Sequence, residues 1–257
     1  MAVWAAMADP QITVRIALVT AGLAAMTWAT ATMPNFWSER DVRAMSGHIL
    51  AGETYKPEVM EVADTYISQH SNLLRPSALE DVAIFRLRQA EVALRSGNVR
   101  SADEAIAALS RAVDHALQNS PTASFLWLMR FWTSNRQDGF EPDNLSNLQE
   151  SYALGPNEAW IAEKRCALAL LIFPALPTKL ADFAVRDFVG LVHSEQFTTA
   201  ADIVTGPGAP NRRILLPALG DLSESIRRRF AQILSERNLD DYVVPGIEPA
   251  STRPWRH

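Results

Sequence analysis

Glu58 and Glu61 stand three residues apart in a stretch whose apolar residues recur at helical spacing, so both carboxylates fall on one helix face. A desolvated pair of this kind can do acid–base work. Without a cleft around it the pair is a solvated surface, which is the reading the rest of the sequence favours. The five histidines, His48, His70, His115, His193 and His257, are scattered, and no two share a metal-ligand spacing. Cys166 is the sole cysteine, which excludes an intramolecular disulfide. It lies in the run CALALLIF, where a buried small hydrophobe is expected, not a nucleophile with a base beside it. The metalloprotease, CxxC, nucleophile-elbow, P-loop and dinucleotide-binding motifs are all missing. The glycine-rich stretch TGPGAPN, residues 205–211, carries prolines that remove backbone donors, which suits a linker and not a phosphate cradle. No catalytic, cofactor-binding or metal-binding residue is therefore assigned, and the chain is not expected to be an enzyme.

Aromatic residues offer a different chemistry. Phe125, Trp127, Phe131 and Trp132 cluster in one segment, and such rings can stack on the apolar faces of sugars. Their spacing places them on more than one side of a helix, so core packing is expected, with glycan contact as the alternative.

The elements that must carry these residues read as helices. Nearly half of the 257 residues are hydrophobic, ample for a folded core. The net charge of −5, with no basic stripe, argues against nucleic acid as a partner. From Ile16 to Met33 there is no charged residue; Arg15 precedes the run, and Trp28 and Trp37 lie near its far end, where indole rings favour a membrane interface. The length is about the minimum for a membrane-spanning helix. An uncleaved signal anchor, a cleaved signal peptide ending near Ala29–Ala31 and a buried core helix all fit the segment; the anchor is taken forward, with contact to membrane lipid through this helix. Everything after Ser38 is then exported.

Beyond that point Ser38 with Asp41 is expected to open one helix and Pro57–Glu58 the next, with Val59, Val62, Ala63, Tyr66 and Ile67 as its apolar face. Ser77-x-x-Glu80, Ser101-x-x-Glu104 and Asp221-x-x-Glu224 each read as a capping box. After the second comes a stripe of mostly small residues, Ala102, Ala105, Ile106, Leu109, Ala112, Val113 and Ala116. Arg227 to Arg229 fall mostly on the solvent side of the last helix. DYVVPGI is too short and too proline-broken for more than a strand-like tail.

The breakers have a rhythm. Gly52, Gly97 and Gly139 are followed by Pro76, Pro121 and Pro156, and an arginine (Arg43, Arg88, Arg130) precedes each glycine by nine residues. Glycine can end a first helix in the left-handed region and proline can end a second helix or open the next unit. Helix, Gly turn, helix, Pro joint is the grammar of an α-solenoid. The unit from Gly139 to Pro156 is similar to a tetratricopeptide repeat, with Trp127 one position off that pattern, and the earlier units look alike with a longer second helix. The expected fold is all-α, an N-terminal transmembrane helix followed by an α-solenoid of TPR-like hairpins. Residues 1–37 form the tail and anchor, 38–204 the repeat domain, and 205–257 a linker, a C-terminal helix and a proline-containing tail.

The segment SPTASFLWLMRFW, the joint Ser151-Tyr152-Ala153-Leu154-Gly155-Pro156 and Arg165 in the following helix carry a resemblance. Over roughly residues 38–200 the chain resembles membrane-anchored helical-repeat proteins encoded beside polysaccharide polymerases in Gram-negative bacteria, a type called VpsP-like. The resemblance implies a non-catalytic accessory role in exopolysaccharide or O-antigen assembly and export. It further implies a single-pass inner-membrane location with a periplasmic C-terminal domain and polymerase or export machinery as partner. The alternative is a periplasmic repeat protein that binds polypeptides during envelope-protein or cytochrome maturation.

Overall fold

A computed structural model describes residues 10–70, 75–239 and 241–248. The N-terminal tail before residue 10, His257, and the side chains of Trp37, Ser38, Asp41 and His70 lie outside the described residues. Every regular element among the described residues is helical, and none is a strand. The chain divides into two compact units, Met1–Glu91 and Val92–His257.

The first unit begins with α1, Pro10–Leu50, a single helix of 41 residues. It passes through Ser38 without a break, so the helix expected to open there does not exist as a separate element. Its segment Val14–Met33 is 20 residues long, with mean hydropathy 1.5 and no residue buried, and is long and apolar enough to cross a membrane. Among the described residues nothing buries it, which is not the behaviour of a core helix. The hydroxyls of Thr20, Thr27, Thr30 and Thr32 donate to the carbonyls of Ile16, Leu23, Met26 and Trp28, at 2.8 to 3.1 Å. Each of these threonine hydroxyls is thereby satisfied within its own helix, as an apolar solvent requires.

Gly52, with φ +87°, turns the chain out of α1. The helix α2, Pro57–His70, follows, and α3, Pro76–Arg95, starts on proline at its first position, which needs no backbone donor. The part of α1 beyond the apolar span is tied to α3. Arg43 Nη2 donates to Ser77 Oγ at 3.1 Å and Ser46 Oγ donates to Asp81. Arg86 of α3 pairs with Asp64 of α2. Val42, Ile67 and Phe85, each under a tenth exposed, form the small core between the three helices.

The second unit continues through α4 (Val99–Asn119), α5 (Ser124–Gln137), α6 (Leu145–Leu154), α7 (Ala159–Leu171), α8 (Thr178–His193), α9 (Phe197–Thr205), a single turn α10 (Arg212–Leu215) and α11 (Glu224–Glu236), with short 3-10 turns between some of them. Helices α4 and α5, α5 and α6, and α7 and α8 pack as neighbouring pairs. The small-residue stripe of α4 is its inner face, with Ala102, Ile106, Leu109, Val113 and Ala116 buried. At the C-terminal end α8, α9 and α11 close around Phe188, Phe197 and Phe230, with the Phe230 ring 6.3 Å from that of Phe188 and 6.2 Å from that of Phe197.

Gly97 and Gly139 take φ of +74° and +81° between α3 and α4 and between α5 and α6, so all three repeat glycines are turn residues. Pro76, Pro121 and Pro156 all fall where one helix gives way to the next. The three arginines that precede the glycines differ in what they do. Arg43 reaches Asp81, Arg88 reaches Glu91 and Arg130 reaches Asp114.

The capping boxes are displaced. Ser77 is the second residue of α3 because Pro76 starts it. The cap of α4 is Asn98, whose side chain accepts from the Ser101 N–H at 3.1 Å. The cap of α11 is Ser223, which accepts from Ile226 N–H, while Asp221 ends a 3-10 turn. Residues 205–211 are a packed turn and not a loose tether. A Cβ on Gly208 would stand 2.9 Å from the Ile203 carbonyl oxygen, and buried Asn211 donates to Leu170 O at 3.3 Å. The tail 241–248 is not a strand. Val244 joins the core, and half-buried Arg227 donates to Pro245 O, while Arg228 and Arg229 are exposed, so the three arginines are mostly solvent-facing as expected.

Candidate functional site

The joint between α6 and α7 concentrates the buried polar chemistry. Arg165 of α7 is fully buried. A buried guanidinium needs an acceptor for each donor and a counter-charge. Asp187 of α8 supplies the charge through two parallel hydrogen bonds, Nε to Oδ2 at 2.9 Å and Nη2 to Oδ1 at 3.0 Å. Nη1 donates to Ser151 O at 2.9 Å and Gly155 O at 3.0 Å, which satisfies two carbonyls at the end of α6. Ser124 at the start of α5 donates to the same Ser151 oxygen at 2.8 Å. The guanidinium also lies over the Tyr152 ring, 4.1 Å from its centroid, and that ring packs against Phe183 at 5.1 Å.

The ionisable groups here are locked. Burial pushes the Asp187 carboxyl up, and the bidentate hydrogen bonds and charge of Arg165 oppose the shift. Burial, reinforced by Asp187, pushes both the Tyr152 hydroxyl and the Cys166 thiol well above their ordinary ranges. Tyr152 Oη is enclosed and closes no hydrogen bond of standard geometry. Cys166 is wholly buried, as expected of a small hydrophobe. All three guanidinium nitrogens of Arg165 are hydrogen-bonded within the protein, so this cluster ties α6, α7 and α8 together as a structural joint.

Gly155 closes the joint for a reason other than the one that governs the turn glycines. Its φ is −133°, outside the left-handed region. A Cβ there would lie 2.4 Å from Ser124 Oγ and 2.8 Å from Glu158 Oε1. The residue is glycine because α5 passes too close for a side chain.

A different place is open to a ligand. In the first unit, Val42 and Met45 of α1, Glu58, Val59, Val62, Ala63, Tyr66 and Ile67 of α2, and Phe85 of α3 enclose an apolar cleft of about 490 Å³. The volume is within the range of sites that take small molecules or side chains, roughly 300–1,000 Å³. Helix α2 builds the longer wall because its apolar residues repeat at helical spacing, the pattern legible in the sequence. Only part of that face is used by the core. Ile67 is buried, while Val59 is 42% and Val62 71% exposed. Glu58 stands in the lining and Glu61 on the exposed surface beside it, so the carboxylate pair borders a cleft without being desolvated by it.

The other residues singled out by sequence are dispersed. Phe125 and Phe131 are core, while Trp127 and Trp132 are half-buried with Arg130 and Arg136 over their rings at 5.9 Å. Trp127 Nε1 donates to Pro121 O at 2.8 Å, which fastens the joint before α5. His48 pairs with Glu53 at 2.9 Å, and His115 and His193 are exposed. Among the described residues no group of three or more His, Cys, Asp or Glu converges on a point that could hold a metal. Comparison with protein-family models, curated proteins and solved structures found no match.

Proposed function

We propose that the chain is a single-pass inner-membrane protein whose helical domain lies in the periplasm and serves as a non-catalytic scaffold for exopolysaccharide or O-antigen assembly and export. In this reading α1 is an uncleaved anchor, and the helical hairpins form a TPR-like solenoid that engages the polymerase or export machinery. The observation that carries it is the order of parts: an unburied apolar helix followed by helices that alternate left-handed Gly turns with Pro joints. That grammar builds surfaces for partners. The VpsP-like resemblance of residues 38–200 supplies the polysaccharide setting.

The test has two arms. Reporters fused after His257 should be active when they require the periplasm and inactive when they require the cytoplasm; the opposite result removes the topology. In a deletion strain complemented for polymer production, alanine substitutions at exposed Asp, Glu and His residues should leave polymer output within about twofold. One such substitution that abolishes polymer, while the protein still folds and co-purifies with its membrane partners, would identify an enzyme.

A further inference from the structure

The cleft between α1, α2 and α3 has a fixed height above the apolar span, because α1 is one helix through both. Met33 ends the span, and Val42 is the first cleft residue. Nine residues at 1.5 Å each put the lower wall about 14 Å beyond the hydrocarbon edge. The headgroup layer is roughly 5–7 Å deep on each side, so the cleft opens just outside it.

We infer that this cleft receives the juxtamembrane extension of a transmembrane helix from a partner membrane protein. The inference rests on the membrane reading of α1 given above. Three observations select this occupant. The lining is apolar apart from Glu58, and its α2 wall presents Val59, Val62, Ala63 and Tyr66 along about two turns, a groove suited to side chains at i, i+3 and i+4 of a helix. Its height is where a helix leaving the bilayer alongside α1 must pass. A lipid chain could reach it only by drawing about ten methylenes through headgroups and water, each step unfavourable, whereas a helix crosses that distance with its backbone bonds intact. Glu58 and Glu61, both exposed, favour a Lys or Arg on the occupant's flank by charge complementarity.

The experiment is site-specific photo-crosslinking in native membranes, with benzoylphenylalanine at Val59 or Val62, both exposed, and at Thr65 as a control on the same helix outside the cleft. Carbonate extraction of the same membranes reports separately whether the chain is integral; release by carbonate would sink the membrane reading itself. With the chain integral, positions 59 and 62 should give an adduct that position 65 does not. Its cross-linked peptide should map within about fifteen residues after a membrane span of another protein. Val62→Glu should cut the adduct from position 59 at least about tenfold, since a buried carboxylate is expelled from an apolar contact. A lipid-sized mass increment, an adduct between copies of this chain, a peptide distant from any span, equal labelling from Thr65, or no adduct would each overturn the inference.

Discussion

A Cβ atom added to Gly155 would stand 2.4 Å from the hydroxyl oxygen of Ser124, the same hydroxyl that hydrogen-bonds Ser151 O. Helices α5 and α6 therefore meet at a point where one has no side chain and the other has a small one. Gly139, in contrast, sits at φ +81° with open space around it. Both glycines end a helix, but one answers to crowding and the other to backbone conformation.

These two causes separate under substitution. Gly139→Ala should cost about 1 kcal/mol, the strain of a left-handed alanine. Gly155→Ala should cost more, about 2–4 kcal/mol, because Ser124 and Glu158 must move and the buried Ser124 hydrogen bond is lost. Combining Gly155→Ala with Ser124→Gly should recover part of the loss. Denaturant midpoints of the four proteins decide the matter, and equal costs at the two glycines would remove the crowding explanation.

The glycine turns were legible in the sequence because positive φ has a residue-level signature. The joint was legible as a joint, but its chemistry was not. Arginine is ordinarily a surface residue, and nothing local to Arg165 announces burial; its partner Asp187 lies 22 residues on, in another helix. The capping boxes failed because Pro76, Asn98 and Ser223 set the three helix starts instead. The continuity of α1 through Ser38 was hidden because Ser38 and Asp41 are good cap residues, and capping signals do not show whether the preceding helix has ended. The cleft was half visible: the apolar spacing of α2 was plain, but a sequence does not say which part of an apolar face finds a neighbour.

Arg165 and Asp187 should behave as a pair whose loss is worse by halves. Arg165→Met alone strands a buried carboxylate and two carbonyls, and Asp187→Leu alone strands a buried guanidinium; each should cost about 3–5 kcal/mol. The double substitution removes both charges and should cost less than either single change, because only the carbonyls of Ser151 and Gly155 lose a donor. A double-mutant cycle by urea unfolding reads the coupling. Additive costs would mean that the two side chains do not depend on each other.

Tyr152 separates ring from hydroxyl. Tyr152→Ala should cost about 3–5 kcal/mol, since the ring is buried between the Arg165 guanidinium and Phe183. Tyr152→Phe should be neutral or slightly stabilising, because the enclosed hydroxyl closes no standard hydrogen bond. Exposed Pro156→Ala should cost only about 0.4–1 kcal/mol, acting through the unfolded chain. A loss of more than about 1 kcal/mol in Tyr152→Phe would show that the hydroxyl donates to the Asp187 carboxylate, with which it interacts.

Cys166 gives a pH dependence with a definite sign. Burial raises its folded-state pKa, so the unfolded thiol ionises first, at about 8.5. The stabilisation from keeping the thiol neutral is complete below that pH and is lost as pH rises toward the folded value, at up to about 1.4 kcal/mol per pH unit. Tyr152 adds a second loss of the same sign, which begins near pH 10. Unfolding midpoints should therefore fall from about pH 8.5 upward, and Cys166→Ala should delay the fall until the tyrosine range. In the folded protein at pH 8 the thiol should resist iodoacetamide, and should react within minutes once urea unfolds the domain. Rapid labelling of the native protein would mean that Cys166 is reachable and ionised, and the joint around Arg165 would then be open rather than closed.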